Sequence, residues 1–160
     1  MSTSAIFWWQ VLLRWFLGLL LVWAALGKLA NLQEFYVMLA AYRLPLPMSL
    51  LRGVAVVLPW MELLCGLLLL AGLRARAALA WSLVMFLSFI VCTGQAWLRG
   101  LKIACGCLDL RFVGIQPGTP TALLLESVEV AFLRAVVLAI VAGLLLWRSL
   151  LKDPAIPSEG

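Results

Sequence analysis

The dominant pattern along the chain is a series of long apolar runs separated by short polar stretches. Four runs, at residues 6–29, 50–71, 77–98 and 121–150, reach the ~20 apolar residues that a helix needs to cross a bilayer core. Because lipid offers no hydrogen-bond partners to the backbone, runs of this kind are expected to be helical. The pattern therefore predicts an all-α protein, an integral membrane four-helix bundle forming one domain over residues 1–152.

The stretch between the first two runs has a different character. Residues 31–42 carry apolar side chains at helical spacing but are too few and too polar to span, and Pro45 and Pro47 end the stretch. This pattern predicts a short interfacial helix after the first span. Residues 153–160 are predicted to be a disordered tail.

Composition supports a membrane protein and excludes several functions. Hydrophobic residues make up 66% of the chain and charged residues 12%, against roughly 25% charged in a typical soluble domain. The net charge of +5 is spread over helix ends and loops, which favours lipid headgroups as partners and argues against nucleic acid. Since the chain has no histidine, it lacks the commonest zinc and haem ligand, and no metal site is predicted.

A carboxylate lies near the middle of the second run. Glu62 at such depth is costly, so we expect it to face the bundle interior, paired or protonated, and to be a functional candidate. Pro59, one turn earlier, is expected to kink the helix and open room there. In the fourth run, Arg134 is expected to pair with a carboxylate, the candidates being Glu62, Glu126 and Glu129.

Two cysteines separated by one glycine follow the third run. Cys105 and Cys107 have Arg99 and Lys102 close in sequence, and positive charge favours the reactive thiolate. Gly106 permits a sharp backbone turn, and a disulfide across so small a ring is strained and easily exchanged. The pattern predicts thiol–disulfide chemistry at a membrane edge, with one thiol attacking and the other resolving. A static disulfide, two packed thiols, or a soft metal that takes two further ligands are the alternatives.

The candidate site residues fall into three groups. They are Cys105, Cys107 and Glu62 as reacting groups, then Gly106, Lys28, Arg99, Lys102 and Arg134 in support, and Cys92 and Cys65 as additional thiols.

The four-span arrangement puts the thiol loop and the first long connection on one face of the membrane. Both termini and the Arg74/Arg76 hairpin fall on the other face. Lysine and arginine counts are nearly balanced, but charge density favours the short hairpin as cytoplasmic. We therefore expect a multi-pass protein of the inner (cytoplasmic) membrane, with both termini cytoplasmic and the Cys105 loop periplasmic or extracellular.

Three motifs resemble a known family. They are Leu26-Gly27-Lys28-Leu29 followed by Phe35, Leu58-Pro59-Trp60-Met61-Glu62 with Gly66, and Arg99-Gly100 followed by Cys105-Gly106-Cys107. Over about residues 18–109 the chain resembles the methylamine-utilisation MauE branch of the DoxX-like membrane proteins. The resemblance implies a four-helix bundle that acts with a periplasmic thioredoxin-like partner in disulfide formation or in maturation of a secreted enzyme. More distant DoxX-like relatives are subunits of quinone-linked sulfur oxidation, so a quinone is the expected cofactor, with none bound covalently.

Our hypothesis is a membrane thiol–disulfide redox protein. Cys105 and Cys107 would exchange disulfides with a partner and pass electrons toward a quinone, while Glu62 would handle protons or polarise the acceptor. The main alternative is a non-catalytic anchor or assembly subunit of a larger redox complex, with structural or metal-binding cysteines. A transporter is a third alternative, which rests only on Glu62 and Arg134 and is weakened by the lack of an internal repeat.

Overall fold

A computed structural model describes residues 3–101 and 127–151 of the chain, with side chains from residue 8 onward. Within those ranges it is all-helical. The helices are α1 (Thr3–Ala30), α2 (Leu32–Ala41), α3 (Met48–Ala71), α4 (Ala75–Leu98) and α5 (Val128–Leu151). The predicted thiol loop, with Lys102, Cys105, Gly106 and Cys107, lies outside the described residues, as does the predicted tail.

Four of these helices are long and apolar enough to cross a membrane. At 1.5 Å per residue the 24-residue helices are about 36 Å long, which exceeds the ~30 Å hydrocarbon core. Only a third of each span is buried inside the bundle, and the outward faces carry large apolar side chains. Trp60, Val91 and Leu144 are each more than half exposed. The predicted multi-pass helical membrane protein, with a short helix after the first span, is confirmed.

The last helix begins later than the apolar pattern suggested. The sequence pattern placed its start near residue 121, whereas α5 begins at Val128. Ser127 caps it, because its hydroxyl oxygen accepts from the Val130 N–H at 3.4 Å and its carbonyl accepts from the Ala131 N–H at 3.0 Å. Residues 121–126 lie outside the described ranges.

The bundle is assembled from two closely packed pairs, α1 with α3 and α4 with α5. A tight turn at Gly72, in the left-handed backbone region at φ 73°, joins α3 to α4 and so connects the pairs. The main core lies between them and is formed by aliphatic, aromatic and small side chains, including Leu17, Leu21, Cys65, Leu69, Leu79, Phe86, Leu138 and Ala142.

Two glycines bring the backbones of α1 and α3 into contact. A methyl group added to Gly66 would lie 2.9 Å from the Gly18 carbonyl oxygen and 2.8 Å from a methyl carbon of Val22. A methyl group on Gly18 would in turn lie 3.0 Å from the Gly66 carbonyl oxygen. Small residues at such a crossing allow close van der Waals packing, which drives helix association in lipid. This crossing sets the register of α1 against α3.

The two ends of the bundle differ. At one end, which we call the α2 end, Tyr42, Ala96 and Val128 form a small cluster with Leu101 packed against it. The Gln95 side-chain amide donates to the Tyr42 carbonyl at 3.1 Å, which links α4 to the C-terminal end of α2. The residues flanking the thiol loop on both sides therefore lie together at the α2 end.

The opposite end, which we call the hairpin end, carries the α3–α4 turn. The guanidinium of Arg14 lies there, with a nitrogen 3.1 Å from where a methyl group on Gly72 would be. Arg14 therefore reaches from within α1 toward the end of the bundle, which is how a charged side chain in a span avoids the hydrocarbon centre.

The glycine crossing generates a stability prediction. Gly66→Ala should lower the free energy of unfolding by about 1–3 kcal/mol, because the added methyl group overlaps the backbone of α1. The measurement is unfolding of the purified protein in mixed detergent micelles, followed by circular dichroism. Gly53→Ala is the matched control in the same helix, since a methyl group there meets no atom within 4 Å. It should be neutral or stabilising by up to about 1 kcal/mol, and equal losses in both variants would contradict the account.

Candidate functional site

A buried ion pair links the first and third helices. The Lys28 ammonium nitrogen lies 2.7 Å from Glu62 Oε1 and 2.5 Å from Oε2. The side chains of Lys28 and Glu62 are only 3% and 6% exposed. The expectation that Glu62 faces the interior with a partner is met, and the partner is Lys28.

The glycine crossing explains how these side chains meet. Since Gly18 faces Gly66, one turn further on Val22 comes level with Glu62. Lys28 is six residues closer to the α2 end, about 9 Å along the axis. Its long stem points back toward the N-terminus of α1, as helical side chains do, and carries the ammonium group down to the carboxylate.

Aromatic rings complete the surroundings of the Lys28 ammonium group. Its nitrogen lies 5.5 Å from the ring centre of Phe35 on α2 and 5.6 Å from that of Phe89 on α4. Both distances fall within the range of cation–π attraction. Phe35 is the buried residue of α2, so this contact ties the short helix to the ion pair. Through the Lys28 ammonium group, α1 is therefore in contact with α2, α3 and α4.

Pro59 lies one turn before Glu62 and is fully buried. Helix α3 continues through it from Met48 to Ala71. Proline has no N–H, so the hydrogen bond to the carbonyl of residue 55 is missing next to the ion pair.

A cavity lies beside the ion pair and holds three ionisable groups. Lys28 and Glu62 line it together with Arg134 of α5, and its volume is about 40 Å³. The remaining lining is apolar and includes Leu20, Leu21, Met85, Phe86, Phe89 and Leu138. A cavity of this size has room for water molecules held by its polar groups.

The cavity is too small for the ring of a quinone. A benzene molecule occupies an engineered cavity of about 150 Å³, several times the volume found beside Glu62. The residues around the ion pair therefore do not fit this cofactor as they stand. The expected quinone stays a prediction, and the described residues beside Lys28 and Glu62 form no pocket of its size.

Arg134 does not form the ion pair that was expected of it within the described residues. Glu62 is occupied by Lys28, and Glu129 is exposed on the first turn of α5. Glu126, the third predicted partner, lies outside the described ranges. Its positive charge is close enough to Tyr42, at the α2 end, to favour the ionised form of that phenol.

The cysteines of the described residues occupy two different places. Cys65 is buried in the main core, and Cys92 packs against the cluster at the α2 end. Arg99 also lies at the α2 end, where it donates to the Arg43 carbonyl oxygen at 3.3 Å. Cys92 and Arg99 are therefore near the residues that flank the thiol loop, whereas Cys65 belongs to the helix packing.

The sequence predicts Lys28 as a supporting residue at the end of the first span, and the structure adds that it is the partner of Glu62. One feature of the sequence points to this pairing: Glu62 needs a buried counter-charge, because an isolated carboxylate in a span is costly. Lys28 stands in the last turn of an apolar helix, within reach of the span interior.

Comparison with known proteins identifies the family. A family model described as methylamine utilisation protein MauE matches residues 4–148. The chain belongs to the MauE family. The buried ion pair joins two of the motifs that carry the family resemblance. Lys28 belongs to the first motif and Glu62 ends the second.

Two curated relatives support this assignment. The chain is 41% identical over 96 residues to the methylamine utilization protein MauE of Methylophilus methylotrophus, covering 58% of this chain and 49% of the relative. It is 37% identical over 134 residues to the MauE protein of Paracoccus denitrificans, covering 82% of this chain and 68% of the relative. The match thus spans about half the length of the first relative. No solved structure matches this MauE-family chain.

The ion pair predicts a specific pattern of stability changes. Lys28→Met or Glu62→Leu alone should each lower the free energy of unfolding by about 3–5 kcal/mol, because each leaves one buried charge without its partner. The double variant should lose much less than the sum, since no isolated charge remains. Unfolding of each variant in detergent micelles measures the differences.

Arg52→Gln is the control for removal of a cation. Arg52 is exposed at the α2 end and only stacks on the Tyr36 ring at 5.8 Å, so its loss should leave stability nearly unchanged. Additive losses in the double variant would show that Lys28 and Glu62 are not coupled.

Proposed function

We propose that this MauE-family chain is a membrane thiol–disulfide redox protein, in which Cys105 and Cys107 exchange disulfides with a thioredoxin-like partner. The site faces the periplasm or the cell exterior. The exchange serves maturation of an exported enzyme, and the names of the relatives suggest methylamine utilisation as the context.

The observation that carries the proposal is the attachment of the thiol loop. Val128 and Leu101, which flank it, belong to or pack against the Tyr42 cluster at the α2 end. The buried ion pair secures α2 at that end through Phe35. Both ends of the segment that carries Cys105 and Cys107 therefore lie at the α2 end of the bundle, and this supports the proposal because a partner from the aqueous phase can reach an end of a membrane bundle.

The exchange needs no group beyond the two proteins. One cysteine thiolate of the reduced pair attacks a sulfur of the partner's disulfide, forming a mixed disulfide and releasing a partner thiolate. The second cysteine then attacks the mixed disulfide. This chain ends with a Cys105–Cys107 disulfide, and the partner leaves as a dithiol with the same two electrons. The reverse sequence oxidises the partner.

Lys28 and Glu62 act as positioning residues in this proposal. Their ion pair holds α1, α2 and α3 together beneath the loop attachment. The carboxylate is committed to Lys28 in this arrangement, so a proton-carrying role for Glu62 would need the pair to open first.

Thiol trapping in intact cells tests the proposal. With a mass-tagged maleimide, Cys105 and Cys107 should resist alkylation until a reductant is added. Cys105→Ser should make Cys107 alkylatable without reductant, and should leave the partner's thiols in an altered redox state. A membrane-impermeant maleimide should label the reduced pair from outside.

Substitutions elsewhere provide the controls. Cys65→Ala should leave the trapping pattern unchanged, because its thiol is 3% exposed within the core. The proposal fails if both loop cysteines are alkylatable under every redox condition. Normal partner oxidation in a Cys105→Ser/Cys107→Ser variant, with a stoichiometric companion that survives detergent, would support the anchor subunit instead.

A further inference from the structure

The cavity beside the ion pair carries an unbalanced positive charge. Of its three ionisable groups, Lys28 and Glu62 neutralise each other through two short contacts. Arg134 lines the same space and has no carboxylate within ion-pair distance among the described residues. The two other described carboxylates, Glu34 and Glu129, are both exposed. The described residues therefore give the cavity a net charge of +1.

Tyr42 does not supply the missing negative charge. Burial raises the pKa of Tyr42 to about 12 and outweighs the positive charge of Arg134, which favours the ionised phenol. The phenol is therefore neutral at physiological pH. Its hydroxyl oxygen is buried and has no hydrogen-bond partner among the described residues. Tyr42 is not among the described residues that line the cavity, so it does not balance the charge there.

A guanidinium between apolar helices is costly without a counter-charge, and Arg134 has none in residues 3–101 and 127–151; intramembrane cations are normally paired or in contact with water. The cavity volume of about 40 Å³ limits what can pair with Arg134 inside it. By this measure one water molecule needs only about 10–15 Å³, so a monatomic anion fits, whereas a cavity that holds an aromatic ring has about 150 Å³.

We propose that Arg134 and the cavity beside the Lys28–Glu62 pair form a binding site for a small inorganic monoanion of the size of chloride. The guanidinium supplies the charge and Lys28 contributes further positive potential. The carboxylate of Glu62 is turned to the ammonium group, which leaves Arg134 to the anion. The site lies in the described helices and is independent of the thiol chemistry proposed above.

Anion-dependent stability tests the site. Thermal unfolding of the detergent-purified full chain is compared in sodium chloride and sodium gluconate at equal ionic strength. Chloride should raise the unfolding midpoint by a few degrees, and the rise should grow with chloride concentration as expected for one site. Arg134→Gln should abolish the difference between the two salts, and Arg52→Gln, which removes an exposed cation, should retain it.

A direct measurement covers the case in which Arg134→Gln fails to fold. The chlorine nuclear magnetic resonance line of chloride should broaden on addition of the wild-type protein, and bromide should reverse the broadening by competition. An identical midpoint in both salts, no line broadening, or a retained chloride effect in Arg134→Gln would each overturn the proposal. The first two results would mean that the counter-charge of Arg134 comes from the chain itself.

Discussion

Two opposite charges buried between membrane-spanning helices constrain this bundle more than any other contact in its described residues. An ion pair such as Lys28–Glu62 adds little net stability compared with apolar residues of the same volume, but separating it is expensive. It therefore selects one arrangement of α1 against α3 from the many that apolar surfaces would tolerate. The Gly18–Gly66 contact makes this arrangement sterically possible, and the ion pair makes the alternatives costly.

The same pair connects the core to the end of the bundle from which the thiol loop leaves. Its ammonium group contacts Phe35 of α2, and the chain following α2 packs on the ends of α4 and α5 through Tyr42. The hairpin end has a tight turn and the guanidinium of Arg14. The ionisable groups that could support chemistry are therefore concentrated toward the α2 end, together with the flanks of the loop.

Much of this architecture could be predicted from the chain, and the exceptions have physical causes. Long apolar runs are enough to predict the spans, and the depth of Glu62 predicts its burial. Its partner was missed because the reach of Lys28 depends on the register set by Gly18 and Gly66, which appears only when the helices are packed. Arg134 was expected to pair with Glu62, Glu126 or Glu129; sequence distance does not reveal that Lys28 already occupies Glu62, and Glu126 lies outside the described residues.

The central claim is that Glu62 is ionised and bound to Lys28 inside the membrane. Infrared spectroscopy of protein carrying isotopically labelled glutamate, reconstituted in lipid, reads the protonation state of this side chain directly. The account predicts a carboxylate band at neutral pH that is absent from the spectrum of Glu62→Gln. A protonated carboxylic acid band at neutral pH that disappears in Glu62→Gln would show that the pair is not an ion pair and would contradict the account.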